Sequence, residues 1–305
     1  MRMRSLLVIL VALTACQQSE PATPTASPAP TPKKAAAPSQ ITQGLSTPES
    51  VLYDADQDVY FISNINGSPV AVDNNGYISR VKPDTLQGEM KWIEGGKPGF
   101  TLNAPKGMAI VGDTLYVCDL GAVRKFNRKT GAAEGEVAIP GATFLNDAAS
   151  DGKSVYVSDS GLKAGAGGNF EGTGTDAVWQ ITDNKPKKLA SGQDLKRPNG
   201  VEVADGKLWV VTFGGNELYQ IDKGKKTNVT TLPSGSLDGL LHMSDGTFLV
   251  TSWDSKTVYR GKPGATFTAV VENINSPADI GYDTKRHLLL IPHFMDNIVS
   301  VHSLQ

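Results

Sequence analysis

Glu49, Asn146, Asn199 and Asp238 are far apart in the chain, yet each opens a short apolar stretch of one kind: "ESVLYD", "NDAASDG", "NGVEVADG" and "DGLLHMSDG". Lys106 and Asp279 open two further stretches, and Asp147 follows Asn146. Carboxylate and carboxamide oxygens are hard donors that suit Ca²⁺, Mg²⁺ or Mn²⁺ better than a thiolate-type zinc site would. Gathered without a cation, the acids would repel one another and at least one would titrate high. The plainer alternative is that these groups cap backbone N–H groups along a wet channel.

Convergence needs a scaffold, and the sequence supplies one by repetition. After residue 40 one pattern recurs six times, at spacings of roughly 40 to 57 residues. Each copy has a short apolar run, an Asp/Gly/Asn turn, then an apolar-aromatic-apolar run, as in "APKGMAIVGDTLYVCDL" and "RPNGVEVADGKLWVVTF". A third strand-like piece follows, such as "AVRKFNR" or "NELYQID", and no helical period is sustained. The pattern predicts an all-β chain: a single six-bladed β-propeller of four-stranded blades over 40–305. "QITQGL" would lend a strand to the last blade and close the ring, which removes the sheet edges.

This frame decides the role of Asn199. Asn-Gly ahead of alternating apolar residues is a hairpin signal. The preceding "ASGQDLKRP" alternates poorly, however, and ends in Pro198, which cannot donate to a ladder. The hairpin belongs at Asp205-Gly206, and Asn199 stands where the innermost strand begins, facing the channel mouth. Loops joining second to third strands lie on that face. Two are long: 64–76, and the glycine-rich 160–175, whose composition suggests a mobile flap or a tolerated insertion. His293 ends a second strand there and could contact substrate or merely pack. Phe213 and Trp253 hold corresponding positions, as an apolar rim or as packing. His242, His287 and His302 show no metal-ligand spacing. No Gly-x-Ser-x-Gly elbow or Cys/His pairing supports serine or cysteine hydrolysis.

At the N-terminus, Arg2 and Arg4 precede "SLLVILVALTAC", a run too short to span a bilayer. Leu13-Thr14-Ala15-Cys16 resembles the lipobox of bacterial lipoproteins, which implies a signal peptide over 1–15 and a lipidated Cys16. The Pro/Ala/Ser/Thr-rich 16–39 cannot bury enough apolar surface to order, so a solvated tether is expected. The chain would then be exported and lipid-anchored in the cell envelope: periplasmic, at the outer membrane in a diderm. Cys118, within "TLYVCDL", should be a buried small hydrophobe. Over the whole chain 29 basic residues face 31 acidic ones, a net of −2. Taking away Arg2 and Arg4 leaves 27 against 31, a net of −4. No basic stripe interleaved with aromatics invites nucleic acid. A monomer is expected.

The four oxygen-bearing segments resemble those of the senescence-marker protein/gluconolactonase (regucalcin-like) family of metal-dependent lactonases, in order and approximate spacing over the whole head. "ESVLYD" is similar to that family's Glu-Gly-Pro-x-Trp-Asp segment, "LNDAASDG" to its Asn-Asp-Gly, "RPNGVEV" to its Pro-Asn-Gly and "SLDGLL" to its Pro-Asp-Gly segment. The resemblance implies one divalent cation on Glu49, Asn199 and Asp238, with Asn146 contacting metal or substrate and Asp238 doubling as general base. Ca²⁺ is the first expectation, ahead of Mg²⁺, Mn²⁺ and Zn²⁺. Two features depart from the family. The first-blade Gly-Pro is missing, and Phe144 stands where the family often has a sugar-binding Arg. Phe144 points to a less polar substrate, or to none. The blades also resemble NHL-type repeats, many of which only bind. Two functions follow: a metal-dependent hydrolase of lactones or related esters, or a non-catalytic envelope binding propeller.

Overall fold

The computed structural model describes residues 39–166 and 169–304. The readings of 1–38, including the signal peptide, Cys16 and most of the tether, lie outside the described residues. The described chain is a six-bladed β-propeller with four antiparallel strands per blade. The inner strands of blades 1 to 6 are Pro48–Asp54, Pro105–Val111, Leu145–Ser150, Pro198–Ala204, Leu237–His242 and Gly281–Asp283. The second strands are Val59–Asn64, Thr114–Asp119, Val155–Asp159, Lys207–Thr212, Phe248–Ser252 and Leu288–His293.

The ring closes as the sequence predicts. Gln40–Ile41 pairs with Ile298–Ser303 as the outer strand of blade 6, with Gln40 opposite Ser300 and Ile41 opposite Val299. Ser39, assigned to the tether, already accepts a hydrogen bond from Val301 N. The first-to-second turns also fall where the Asp-Gly pairs put them. In blade 4, Asp205 and Gly206 both have positive φ (52° and 70°) between paired Ala204 and Lys207. That conformation is the type I′ turn, whose twist matches the strands it joins.

Successive buried residues of a strand enter opposite clefts, as Tyr60 and Ile62 do on one side and Val59 and Phe61 on the other, so each blade buries both faces, and six clusters fill the six clefts. Cys118 is fully buried in the cleft between blades 2 and 3. Polar latches reinforce the clefts toward the face opposite the channel mouth. Arg128 of blade 2 donates to Asp54 of blade 1 at 2.7 Å, and Tyr60 of blade 1 donates to Asp283 of blade 6 at 2.6 Å.

The described part of the loop 160–175 includes secondary structure. It carries a short hairpin, Leu162–Ala164 with Phe170–Gly172, and its base is tied by the mutually bonded hydroxyls of Thr143, Thr173 and Thr175. Sequence composition registered the glycines and missed the strand pair because each strand has only three residues.

Candidate metal centre

Each of the first five inner strands contains one extra residue at its start, between Pro48 and Ser50, Pro105 and Met108, Leu145 and Ala148, Pro198 and Val201, and Leu237 and Leu240. A bulge of this kind turns one side chain out of the ladder and leaves a backbone N–H unpaired. The side chains so placed include Glu49, Lys106, Asn146, Asn199 and Asp238. The freed N–H groups find hydroxyls on the second strand: Ser50 N donates to Ser63 Oγ (2.9 Å), Asp147 N to Ser158 Oγ (3.0 Å) and Gly239 N to Thr251 Oγ1 (2.6 Å).

The position after the mouth residue joins neighbouring blades. Gly200 and Gly239 bring inner strands together backbone to backbone. A Cβ on Gly239 would lie 2.6 Å from Ile280 N, and one on Gly200 would collide with the carbonyl oxygen of Asp238. Where a side chain is present, it bridges. Ser50 donates to Asp279 Oδ2 at 2.5 Å, and Asp147 Oδ2 accepts from Val201 N at 2.7 Å. Asp147 Oδ1 accepts from Ala148 N, so both its oxygens are spent on the frame.

Glu49, Asn199 and Asp238 are different. They are 4 %, 2 % and 4 % exposed, and each holds a buried oxygen with no hydrogen-bond partner: Glu49 Oε2, Asn199 Oδ1 and Asp238 Oδ1. Unpaired buried oxygens are costly, and three of the six such side-chain oxygens among the described residues belong to these side chains. Asp238 is fixed through its other oxygen: Trp253 Nε1 donates to Asp238 Oδ2 at 2.8 Å. Asn146 is set by Ser160, whose hydroxyl accepts from Asn146 Nδ2 (3.0 Å) and donates to the Pro198 carbonyl (2.7 Å).

The electrostatics describe a site short of positive charge. Burial, and then the charges of Asp238 and Asp279, hold Glu49 well above the usual carboxylate range, while Lys106 opposes the rise. Burial followed by Asp279 does the same to Asp238. Burial and Asp279 also raise Asp147, against two backbone hydrogen bonds. Asp279 itself is pushed up to about 7, chiefly by burial. Fully ionised, Glu49, Asp147, Asp238 and Asp279 against Lys106 carry a formal −3, and one divalent cation would bring that to −1. No three His, Cys, Asp or Glu side chains among the described residues are arranged as a metal-ligand group. The donor set is a mixed one of two carboxylates and an amide oxygen. Hard, oxygen-only and incompletely satisfied, these residues fit a cation such as Ca²⁺.

Lys106 is the ring's one cation and is 1 % exposed. Its Nζ donates to Ala104 O at 2.9 Å and lies 4.4 Å from the Phe144 ring centroid. Burial lowers its basicity and the charge of Glu49 opposes this. Phe144 is thus buried under a cation from the neighbouring blade. His293 stands apart from the ring residues. Its Nε2 is 2.8 Å from Ser300 Oγ, which is bonded in turn to His302, and its Nδ1 is 3.6 Å from Asp296. It closes its second strand at the position where Asp119 and Asp159 receive backbone N–H groups from the chain ahead of their inner strands.

The residue after that position faces the mouth instead. In blades 1, 3, 4, 5 and 6 it is Ile65, Ser160, Phe213, Trp253 and Phe294. Each is pinned by its N–H to a carbonyl ahead of the inner strand. Ser160 and Phe294 were not recognised from sequence; comparing this one position blade by blade would have found both. Below the ring, a cavity of about 380 Å³ follows the channel toward the opposite face, meeting the ring at Ser50, Asp147 and Asp279. Glu202, in its wall, is pushed up to about 8 by burial.

No protein-family profile matches the chain, and no curated protein matches it. Solved structures do match, 1133 chains in all, a breadth that belongs to an architecture shared by many proteins. One is the crystal structure of a nidogen/laminin complex, at TM-score 0.56 and 14 % identity over 71 % of this chain and 76 % of that one. At that identity the likeness establishes the propeller fold alone.

Proposed function

We propose that the head is a metal-dependent hydrolase of lactones or related esters, working at the channel mouth. The observation that carries this reading is the set of partnerless buried oxygens on Glu49, Asn199 and Asp238. The resemblance of the same segments to senescence-marker/gluconolactonase propellers selects lactones as the substrate class. Glu49, Asn199 and Asp238 would hold one divalent cation, Ca²⁺ before Mg²⁺, Mn²⁺ or Zn²⁺. When bound, that ion supplies Lewis acidity toward a carbonyl and makes a nearby water more acidic.

The chain's own groups do the rest. Trp253 fixes one oxygen of Asp238, and the carboxylate would both hold the ion and take a proton from the attacking water. The water oxygen bonds to the carbonyl carbon, the ring C–O bond breaks, and the proton passes to the departing alkoxide. Asn146, held by Ser160, would donate or accept at the substrate. Phe144 in place of a sugar-binding Arg favours a less polar substrate.

A screen of lactones and aryl esters against Ca²⁺, Mg²⁺, Mn²⁺ and Zn²⁺ tests the reading. Chelator-sensitive hydrolysis that Asp238→Ala abolishes is expected; inactivity on every substrate overturns it. The near-complete burial of the three donors favours a second reading, a binding propeller whose ion only pins the blades. A fold shared with a protein solved in a protein–protein complex is compatible with that. Stoichiometric ion uptake with no hydrolysis selects it. We further propose that the chain is exported and anchored through lipidated Cys16. Cys16→Ser should move it from the membrane fraction to the soluble fraction.

A further inference from the structure

The channel mouth has two unlike halves. Phe213, Trp253 and Phe294, from blades 4, 5 and 6, touch in sequence: the first two rings meet edge-on at 5.5 Å, the second and third at 5.2 Å. All three are half-buried, and Met295 beside them is 65 % exposed. Across the mouth the groups are polar and buried: Lys106, Asn146 and Ser160. The Trp253 bond to Asp238 would by itself account for a tryptophan at that position. It does not account for phenylalanines at the same position on both neighbouring blades, aligned on the indole and left partly open.

We propose that this site takes an amphiphilic ligand: a lactone or ester whose oxygen-bearing head lies toward Asp238 and Asn146, and whose aliphatic or aryl tail lies on the Phe213–Trp253–Phe294 shelf. The identity of the head group rests on the hydrolase reading; the shelf does not. Half-open aromatic faces beside a few fixed polar groups are what an apolar substituent with one polar end requires. The shelf's one hydrogen-bond donor, the indole N–H, is already committed to Asp238, so the several hydroxyls of a sugar lactone would lose hydrogen bonds to water there without replacement.

The test uses γ-lactams, which keep the ring and carbonyl but resist hydrolysis, with tails from methyl to octyl. Calorimetric titration into the purified chain with Ca²⁺ should show affinity rising about two- to fourfold per methylene until the shelf is covered. Phe213→Ala and Phe294→Ala should each reduce the octyl-to-methyl affinity ratio severalfold. Affinity indifferent to tail length, or an unchanged ratio in both variants, overturns the proposal. Tail-dependent lactam binding by a chain that opens no lactone supports the shelf while the hydrolase reading falls. Lactone opening with tail-independent lactam binding does the reverse.

Discussion

Replacing Asp238 by Asn removes one charge and keeps the shape, and it should change the protein's stability in opposite directions with and without a divalent cation. In chelator, the wild-type ring must either hold a buried carboxylate in ionised form or take up a proton at neutral pH. Asp279, on the same rim, is held against its charge in the same way. Raised from 3.8 to about 7, it stands for an opposing free energy of order 4 kcal/mol at pH above 7. Asp238 is shifted in the same direction for the same first cause, burial. An amide carries no such penalty and can still accept from Trp253. Asp238→Asn should therefore melt above wild type in chelator, by about 1–3 kcal/mol for the relief of one unsatisfied buried polar group, a rise in Tm of roughly 2–6 °C for a domain of this size. With Ca²⁺ at a hundredfold above Kd, the wild type should gain about 2.7 kcal/mol, roughly 5 °C, and the variant little. Differential scanning calorimetry with chelator and with Ca²⁺ reads both effects. A variant that melts below wild type in chelator refutes the picture of an acid held against its charge. A variant that retains the full Ca²⁺ response refutes Asp238 as a ligand.

Three more outcomes follow from the same geometry. In chelator, stability should fall as pH rises from 5 to 8. Asp279 and Glu202 have folded values of about 7 and about 8, above their unfolded ones, so the folded state binds the extra protons and loses that advantage as they leave. His293 and His302 are lowered and oppose this trend near pH 6, which a urea-midpoint series would show as a shallower upper slope on the acid side. Ser160→Ala should cost about 1–3 kcal/mol in urea unfolding, because it strands Asn146 Nδ2 and the Pro198 carbonyl together. Gly200→Ala should cost about 1–3 kcal/mol or more, since its Cβ meets the Asp238 backbone; a neutral result would mean that the inner strands are not in close contact there.

Much of this was legible in the sequence because a propeller writes its period into the chain. The sixfold pattern located the inner strands, the Asp-Gly turns and the side chains at the mouth, and one orphaned oxygen proved to lie on each of Glu49, Asn199 and Asp238. Residue type and spacing alone left Asn146 and Asp147 together at one strand entry, and only the family resemblance singled out Asn146. The structure separates the two in role, because Asp147 spends both oxygens on backbone N–H groups of its own and the next blade. Nor could sequence tell His293 from Phe294. A one-residue step at the end of a strand reverses which way a side chain faces, and no pattern in "IPHFMDN" marks where the strand stops. The bulges were equally hidden, since an inserted residue leaves no trace in an alternation that is already short.

The close passage of main chain against main chain beside Gly200 and Gly239 has a consequence for how such a ring can change. The bore of the channel is set there by peptide groups, while the side chain one residue earlier is turned out of the ladder by its bulge. Substituting that side chain alters the chemistry at the mouth and leaves the spacing of the blades untouched. Five such positions, one on each bulged inner strand, thus surround one aperture, so the same ring could trade a cation-holding rim for a bare one through single replacements.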